Sequence, residues 1–151
     1  MFRGSSTVSV DDKGRVAVPA RFRDQLLADE NGLILTVNPW DPSLLLYPFE
    51  DWRAIEEKLA TLADYDKQSR RTKQIIRGYA NECRIDKQGR ILVSADLRDF
   101  AKFSKQAVIL GQGNKLEIWS QELWAGERDA WLADTGEESS SSASGLTSLS
   151  L

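Results

Sequence analysis

Apolar and polar residues alternate in short runs at the N-terminus and again in the middle of the chain. Val8 and Val10 stand two apart, as do Cys83 and Ile85, the spacing of strands with one buried face. Each run enters a charged turn and leaves it as a second short run, Arg15–Val18 or Arg90–Val93. Gly14 and Gly89 sit in those turns, where a tight hairpin needs positive φ. Continuous apolar runs follow, Leu33-Ile34-Leu35-Thr36 and Val108-Ile109-Leu110-Gly111, then Leu46-Tyr47 and Ile118-Trp119. They read as buried strands. Helices are expected over 19–27, opened by Pro19, and over 94–103, where Ser94 suits the N-cap. Trp52, Ile55, Leu59 and Leu62 mark a helix over about 49–62. Leu123, Trp124, Trp131 and Leu132 mark another over about 120–132, with Trp52, Trp124 and Trp131 at core or subunit-contact spacing. Residues 66–78 predict one more helix.

These elements come in two copies. Residues 11–23 read DDKGRVAVPARFR and residues 86–98 read DKQGRILVSADLR, an offset of 75. The apolar runs from Leu33 and Val108 continue at that offset. The first copy then gains three residues in its loop, and Leu46-Tyr47 aligns with Ile118-Trp119 at an offset of 72. A copy of four short strands buries too little apolar surface to stand alone. Two copies with intertwined hairpins, closing into a small barrel, remove the exposed edges. The expected fold is therefore mixed α+β, mainly β, with a pseudo-two-fold axis and flanking short helices. The expected organisation is a first repeat over 1–62, a linking basic helix over 63–78, a second repeat over 79–132, and a disordered acidic, Ser-rich tail over 133–151.

Composition narrows the chemistry. The 151 residues are 41% hydrophobic and 28% charged, as in an ordinary globular chain. No run approaches the roughly 20 apolar residues of a membrane span. The opening MFRGSSTVSVDD has no apolar secretory core, which predicts a cytoplasmic protein. There is no histidine and one cysteine, Cys83, expected as a small buried hydrophobe. Histidine-based nucleophilic catalysis and histidine or thiolate metal sites are thereby excluded. Asp11 and Asp12 are adjacent, so on a strand their carboxylates point apart and do not share a substrate. No catalytic residue, metal or cofactor is expected.

The net charge of −3 is unevenly spread. Residues 67–90 carry a balance of +6, residues 1–27 one of +2, and residues 117–151 one of −6. A local basic face can hold phosphate on an acidic chain. The D-x-x-x-R spacing places an acid and an arginine across a tight turn. Asp11 with Gly14, and Asp86 with Gly89, are read as hairpin locks. Lys13 and Arg15 at the first tip, with Arg3, Arg21 and Arg23 nearby, and Arg90 at the second, are read as DNA-contacting cations. A two-stranded ribbon carrying arginine can enter the major groove. Arg70, Arg71, Lys73 and Arg77 on the linking helix suit subunit contact or solvent better than DNA.

The opening MFRG, the DDKGRVAVPARFR block, the LLLYPFEDW segment, the GYANECRID junction and the DKQGRILVSADLR block together resemble the MraZ family, over roughly residues 1–132. Two tandem copies make the resemblance specific. It implies a pair of AbrB-like swapped-hairpin modules, assembled as a homo-oligomeric ring. It implies binding of double-stranded DNA at promoter direct repeats, mainly repression of the division and cell-wall gene cluster including its own operon, and association with the nucleoid. It makes an enzyme an unpromising reading. The second copy departs from the first, with Gln88 for Lys13 and Ser94 for Pro19, so its share in DNA contact is open. The alternative is an AbrB-like structural or partner-binding platform of antitoxin type, without specific DNA readout.

Overall fold

The computed structural model of the chain describes residues 1–134 and residue 149. The expected tail therefore lies almost wholly outside the described residues. Among the described residues the element order is β1 (Ser5–Ser9), β2 (Arg15–Ala17), α1 (Ala20–Leu27), β3 (Leu33–Val37), β4 (Leu44–Pro48), α2 (Phe49–Ala60), α3 (Lys67–Gly78), β5 (Asn81–Cys83), β6 (Arg90–Leu92), α4 (Ala95–Ala101), β7 (Gln106–Gly111), β8 (Leu116–Ser120) and α5 (Gln121–Ala133). The fold is mixed α+β. Residues 1–121 form one compact unit, and α5 beyond its first residue belongs to a second. No helix among the described residues is long and apolar enough to cross a membrane.

Strand pairing joins the repeats at every level. The six-stranded antiparallel sheet runs β1-β7-β8-β4-β3-β5, and a separate two-stranded ribbon pairs β2 with β6. Among the named strands of the described residues, β3 pairs with β4 and β7 with β8 within one repeat. The first strand of each repeat pairs with the other repeat, β1 on β7 and β5 on β3. Central strands β4 and β8 pair as well. In the ribbon, Arg15 stands opposite Leu92, Val16 opposite Ile91 and Ala17 opposite Arg90.

The register corrects the sequence alignment of the repeats. Leu33, Leu35 and Val37 face the main core, whereas Ile34 faces the second cluster. In β7 it is Ala107 and Ile109 that face the main core. Ala107 therefore corresponds to Leu33 and Ile109 to Leu35, an offset of 74 and not 75. The missing residue is lost at the end of α4, which has 7 residues where α1 has 8 and stops at Lys102 in the left-handed region, φ 55°. The first repeat then gains two residues, not three, because 38–43 join β3 to β4 whereas 112–115 join β7 to β8. Helix starts follow local chemistry. Pro19 immediately precedes α1 with φ −56°. Asp66 caps α3 by accepting from Ser69 N at 2.9 Å. Ser94 occupies the N-cap of α4 without a capping bond from its side chain.

Two apolar layers lie on opposite sides of the sheet. The larger holds Leu33, Leu35, Leu44, Leu46, Ala107, Ile109, Leu116 and Ile118 of the sheet against Val16 and Ile91 of the ribbon, Phe22 and Leu26 of α1, and Leu97 and Ala101 of α4. Val16 and Ile91 are fully buried, each contributing about 1.5–3 kcal/mol. The smaller layer packs Ile34, Leu45 and Tyr47 under Trp52 and Leu59 of α2 and Ile76 of α3. The Thr36 hydroxyl, buried among these helices, donates to Ile76 O at 2.5 Å. Thus the ribbon lies on one sheet face and α2 with α3 on the other.

Candidate nucleic-acid interface

The two turns are built alike. Asp11 Oδ1 accepts from the amides of Lys13 and Arg15 at 3.0 and 2.9 Å, and Oδ2 accepts from Arg15 Nε at 2.6 Å. Asp86 Oδ1 accepts from the amides of Gln88 and Arg90 at 2.9 Å each, and Oδ2 from Arg90 Nε at 3.2 Å. Main-chain bonds close both loops, Gly14 N donating to Asp11 O and Gly89 N to Asp86 O, each at 3.0 Å. The D-x-x-x-R spacing is thus one closed ring of contacts per hairpin, with the glycine at φ +85° or +77°.

Each turn is also clasped by the opposite repeat. Val93 N donates to Gly14 O and Val18 N to Gly89 O, both at 2.9 Å. The Arg98 side chain lies against Gly14, and the Arg23 guanidinium lies against Gly89. Arg23 Nε donates to Val18 O at 2.8 Å, so its position is set by the fold's interior. The Nε of Arg98 is buried with no hydrogen-bond partner among the described residues. Sequence reasoning missed Arg98, although it matches Arg23 at the end of the repeated block.

Because Val16 and Ile91 point into the core, Arg15, Ala17, Arg90 and Leu92 line the outer ribbon face. Arg90 Nη1 also reaches Asp11 Oδ2 at 3.5 Å, which gathers Asp11, Arg15, Asp86 and Arg90 into one cluster. The two arginines differ within it. Arg90 commits Nε to Asp86, Nη1 to Asp11 and Nη2 to Gln88 Oε1 at 3.3 Å. Arg15 commits only Nε, and its two Nη groups have no partner among the described residues. Lys13 is exposed at the first tip, as is Lys87 at the second. Leu92 is 60% exposed on the same face.

The remaining cations lie elsewhere. Arg21 donates to Ser5 O and to Ser6 Oγ at 2.6 Å, tying α1 to β1, and lies 4.9 Å from the Phe22 ring centre. Arg3 is exposed just ahead of β1, beside the Phe2–Gly113 bridge. Among the described residues no group of acidic, cysteine or histidine side chains is arranged to hold a metal ion. Cys83 is half-buried against the main core, and burial pushes its thiol up to about 12, far from a reactive thiolate.

The hairpin carboxylates tie the fold to pH. Amide donation from Arg15 to Asp11, and from Arg90 to Asp86, holds both below the ordinary carboxylate value. Lys73 lowers Asp64 likewise, and Ser69 lowers Asp66. A carboxylate lowered in the native state stabilises fully above its unfolded value, about 3.9 for Asp. That contribution is lost as pH falls through the native value. The urea midpoint should therefore fall once pH drops below about 4. Asp11→Asn with Asp86→Asn should flatten that fall. An unchanged slope in the double variant would separate the locks from acid sensitivity.

Comparison with known proteins bears on this site. The family described as "MraZ protein, putative antitoxin-like" matches the chain twice, over residues 1–75 and 76–141. A protein of Mannheimia succiniciproducens named transcriptional regulator MraZ is 47% identical over 152 residues, covering 99% of this chain and 100% of its own length. A Marinomonas protein of the same name is 47% identical over 139 residues, covering 91% of this chain and 92% of its own. One from Thioalkalivibrio sulfidiphilus is 43% identical, with 100% of both chains covered.

Proposed function

Because this chain belongs to the MraZ family, whose curated relatives are named transcriptional regulators, we propose that it regulates transcription by binding specific DNA through the β2–β6 ribbon. The observation that carries the reading is the Nη fork of Arg15, which has no partner among the described residues while the Asp11 lock holds its Nε on the outer ribbon face. A fixed guanidinium fork matches the O6 and N7 acceptors of guanine or two phosphate oxygens. Lys13 at the exposed tip suits phosphate positioning, and Arg3 lies outside the ribbon as a flanking contact. Arg21 and Arg23, held by main-chain oxygens, act mainly by shaping the surface on which Arg15 stands. Exchange of hairpins between repeats supports an AbrB-like swapped-hairpin fold, with each repeat completing the other.

The chain acts as a closed ring of copies, each presenting one ribbon to a tandem direct repeat upstream of its own operon. Occupancy of that promoter represses the division and cell-wall gene cluster, in the cytoplasm and on the nucleoid. Copy number multiplies a contact that is weak by itself.

Fluorescence anisotropy on labelled DNA from that upstream region tests the assignment. The affinity should fall as salt rises, through release of counterions. Arg15→Ala should weaken binding by about 5–150-fold, the value of a lost bidentate base contact of about 1–3 kcal/mol. Arg90→Ala should do less, because Arg90 spends its donors inside the protein. Loss of binding in Arg90→Ala with Arg15→Ala intact would move the reading surface to the second repeat. The matched family's antitoxin-like description favours one other reading, a platform for a partner protein. Absence of any salt-sensitive DNA complex, with the fold intact, selects that reading instead.

A further inference from the structure

Two surface patches are left unused by the ribbon, and they are opposite in kind. On α3, Lys67, Arg70, Arg71, Lys73 and Arg77 appear with no acid in the helix. Lys73 is paired with Asp64, and Arg77 with Glu56 at 3.6 Å. Lys67, Arg70 and Arg71 have no ion-pair partner among the described residues. Arg71 lines a shallow cleft of about 200 Å³ with Pro39, Trp40, Gln68, Thr72 and Ile75. Trp40 in that cleft is 78% exposed.

The second patch is on α5. This helix corresponds to α2 at an offset of 72, so Trp131 corresponds to Leu59. Leu59 is only 5% exposed, in the layer shared by α2 and Ile76 of α3. Among the described residues the second repeat has no counterpart of α3. Trp131 is 74% exposed and Leu132 65% exposed, and no residue of α5 is buried. Glu127 lies one turn before Trp131 on the same helical face, and has no ion-pair partner among the described residues.

We infer that the outer face of α3, with its Trp40 cleft, receives α5 of a second copy of this chain. Each patch joins an exposed tryptophan to uncompensated charge, and the charges are opposite. Tryptophan and arginine are the residues that most often dominate interface energy. Charge complementarity selects another copy over nucleic acid as the occupant, because one chain supplies both halves. The two patches are different surfaces, so the contact is head-to-tail, the type that generates a ring when its rotation closes. The inference rests on the assembled state proposed above and names the surfaces that build it.

Sedimentation velocity of the full chain tests it, with circular dichroism checking each variant's fold. Arg70→Glu with Arg71→Glu on α3 should raise the concentration for half-assembly by at least ~30-fold, as should Glu127→Lys on α5. Trp131→Ala should do the same, through lost apolar contact. Combining both charge reversals should restore assembly, since the pair is coupled. High salt should weaken the wild-type contact. A wild-type chain that sediments as a 17.0 kDa monomer removes the ring reading itself. An assembled wild type with equally assembled charge variants removes only this interface. An α3 variant that assembles normally but loses DNA affinity overturns the inference and makes α3 a phosphate surface. Failure of the combined reversal to restore what each alone destroyed overturns direct pairing of α3 with α5.

Discussion

Inserting half a helical turn, about 5 bp, between two direct repeats should lower the DNA affinity of the proposed ring by roughly 10²–10⁴. On that reading each ribbon offers one arginine fork without a partner among the described residues and a lysine at each tip, a contact of about 1–3 kcal/mol in discrimination. That is far from the ~4–10 kcal/mol separating specific from non-specific DNA binding. In the proposed ring the difference comes from joining several ribbons on one rigid body, where the second contact forms at high effective concentration. The gain survives only while the repeats share a DNA face. Rotating one repeat to the far side removes it, and inserting a full turn, about 10 bp, returns much of it. Anisotropy titrations on native, half-turn and full-turn spacings read the difference directly. Equal affinity on all three would mean that each chain reads DNA by itself.

Gly14→Val destabilises the fold by about 2–5 kcal/mol. At φ +85° a side chain meets the left-handed penalty of about 1–2 kcal/mol. Its Cβ would also stand 2.7 Å from the Val93 carbonyl oxygen and 2.6 Å from Arg98 Nε. Arg98 can swing aside, but the carbonyl belongs to backbone held by Gly14 itself. Overpacking of that kind costs about 1–3 kcal/mol. Against a total of roughly 5–15 kcal/mol this is a large share. Both obstructing groups come from the second repeat, so a change in the first turn loosens the other half. Gly126→Ala in α5 is the control: nothing lies within 4 Å of its added Cβ. A helical Gly→Ala change there should be stabilising by about 0.5–1 kcal/mol. Urea unfolding of the two variants should move in opposite directions. A Gly14→Val protein as stable as wild type would sink the clasp between repeats.

Local chemistry alone carried much of this architecture. The duplicated D-x-x-G-R block, the glycines at positive φ and the helix starts depend on neighbours within a few residues. Such neighbours are adjacent in the chain, so their spacing is their geometry. Family membership follows from the same blocks. The basic helix was visible as composition, without any indication of the surface it would form. Trp131 has helical spacing suited to a core or to a subunit contact, and it stands exposed; spacing does not say whether a covering helix exists.

Tertiary structure alone decided which repeat pairs with which, and in what register. β3 is buried along its whole length, so its apolar run lacks the alternation that marks a face. A one-residue slip therefore left no trace in the pattern, and the offset of 74 became readable only from the two apolar layers. Arg23 and Arg98 found their places against turns of the opposite repeat, 66 or more positions away in the chain. Arg15 and Arg90 are equivalent in sequence, but Gln88 occupies one fork while the other stays open. Sequence determines the local shape of each hairpin because backbone angles and short-range hydrogen bonds are set by residue type. The proposed DNA-contacting surface needed the fold, since it exists only where two copies of that hairpin meet.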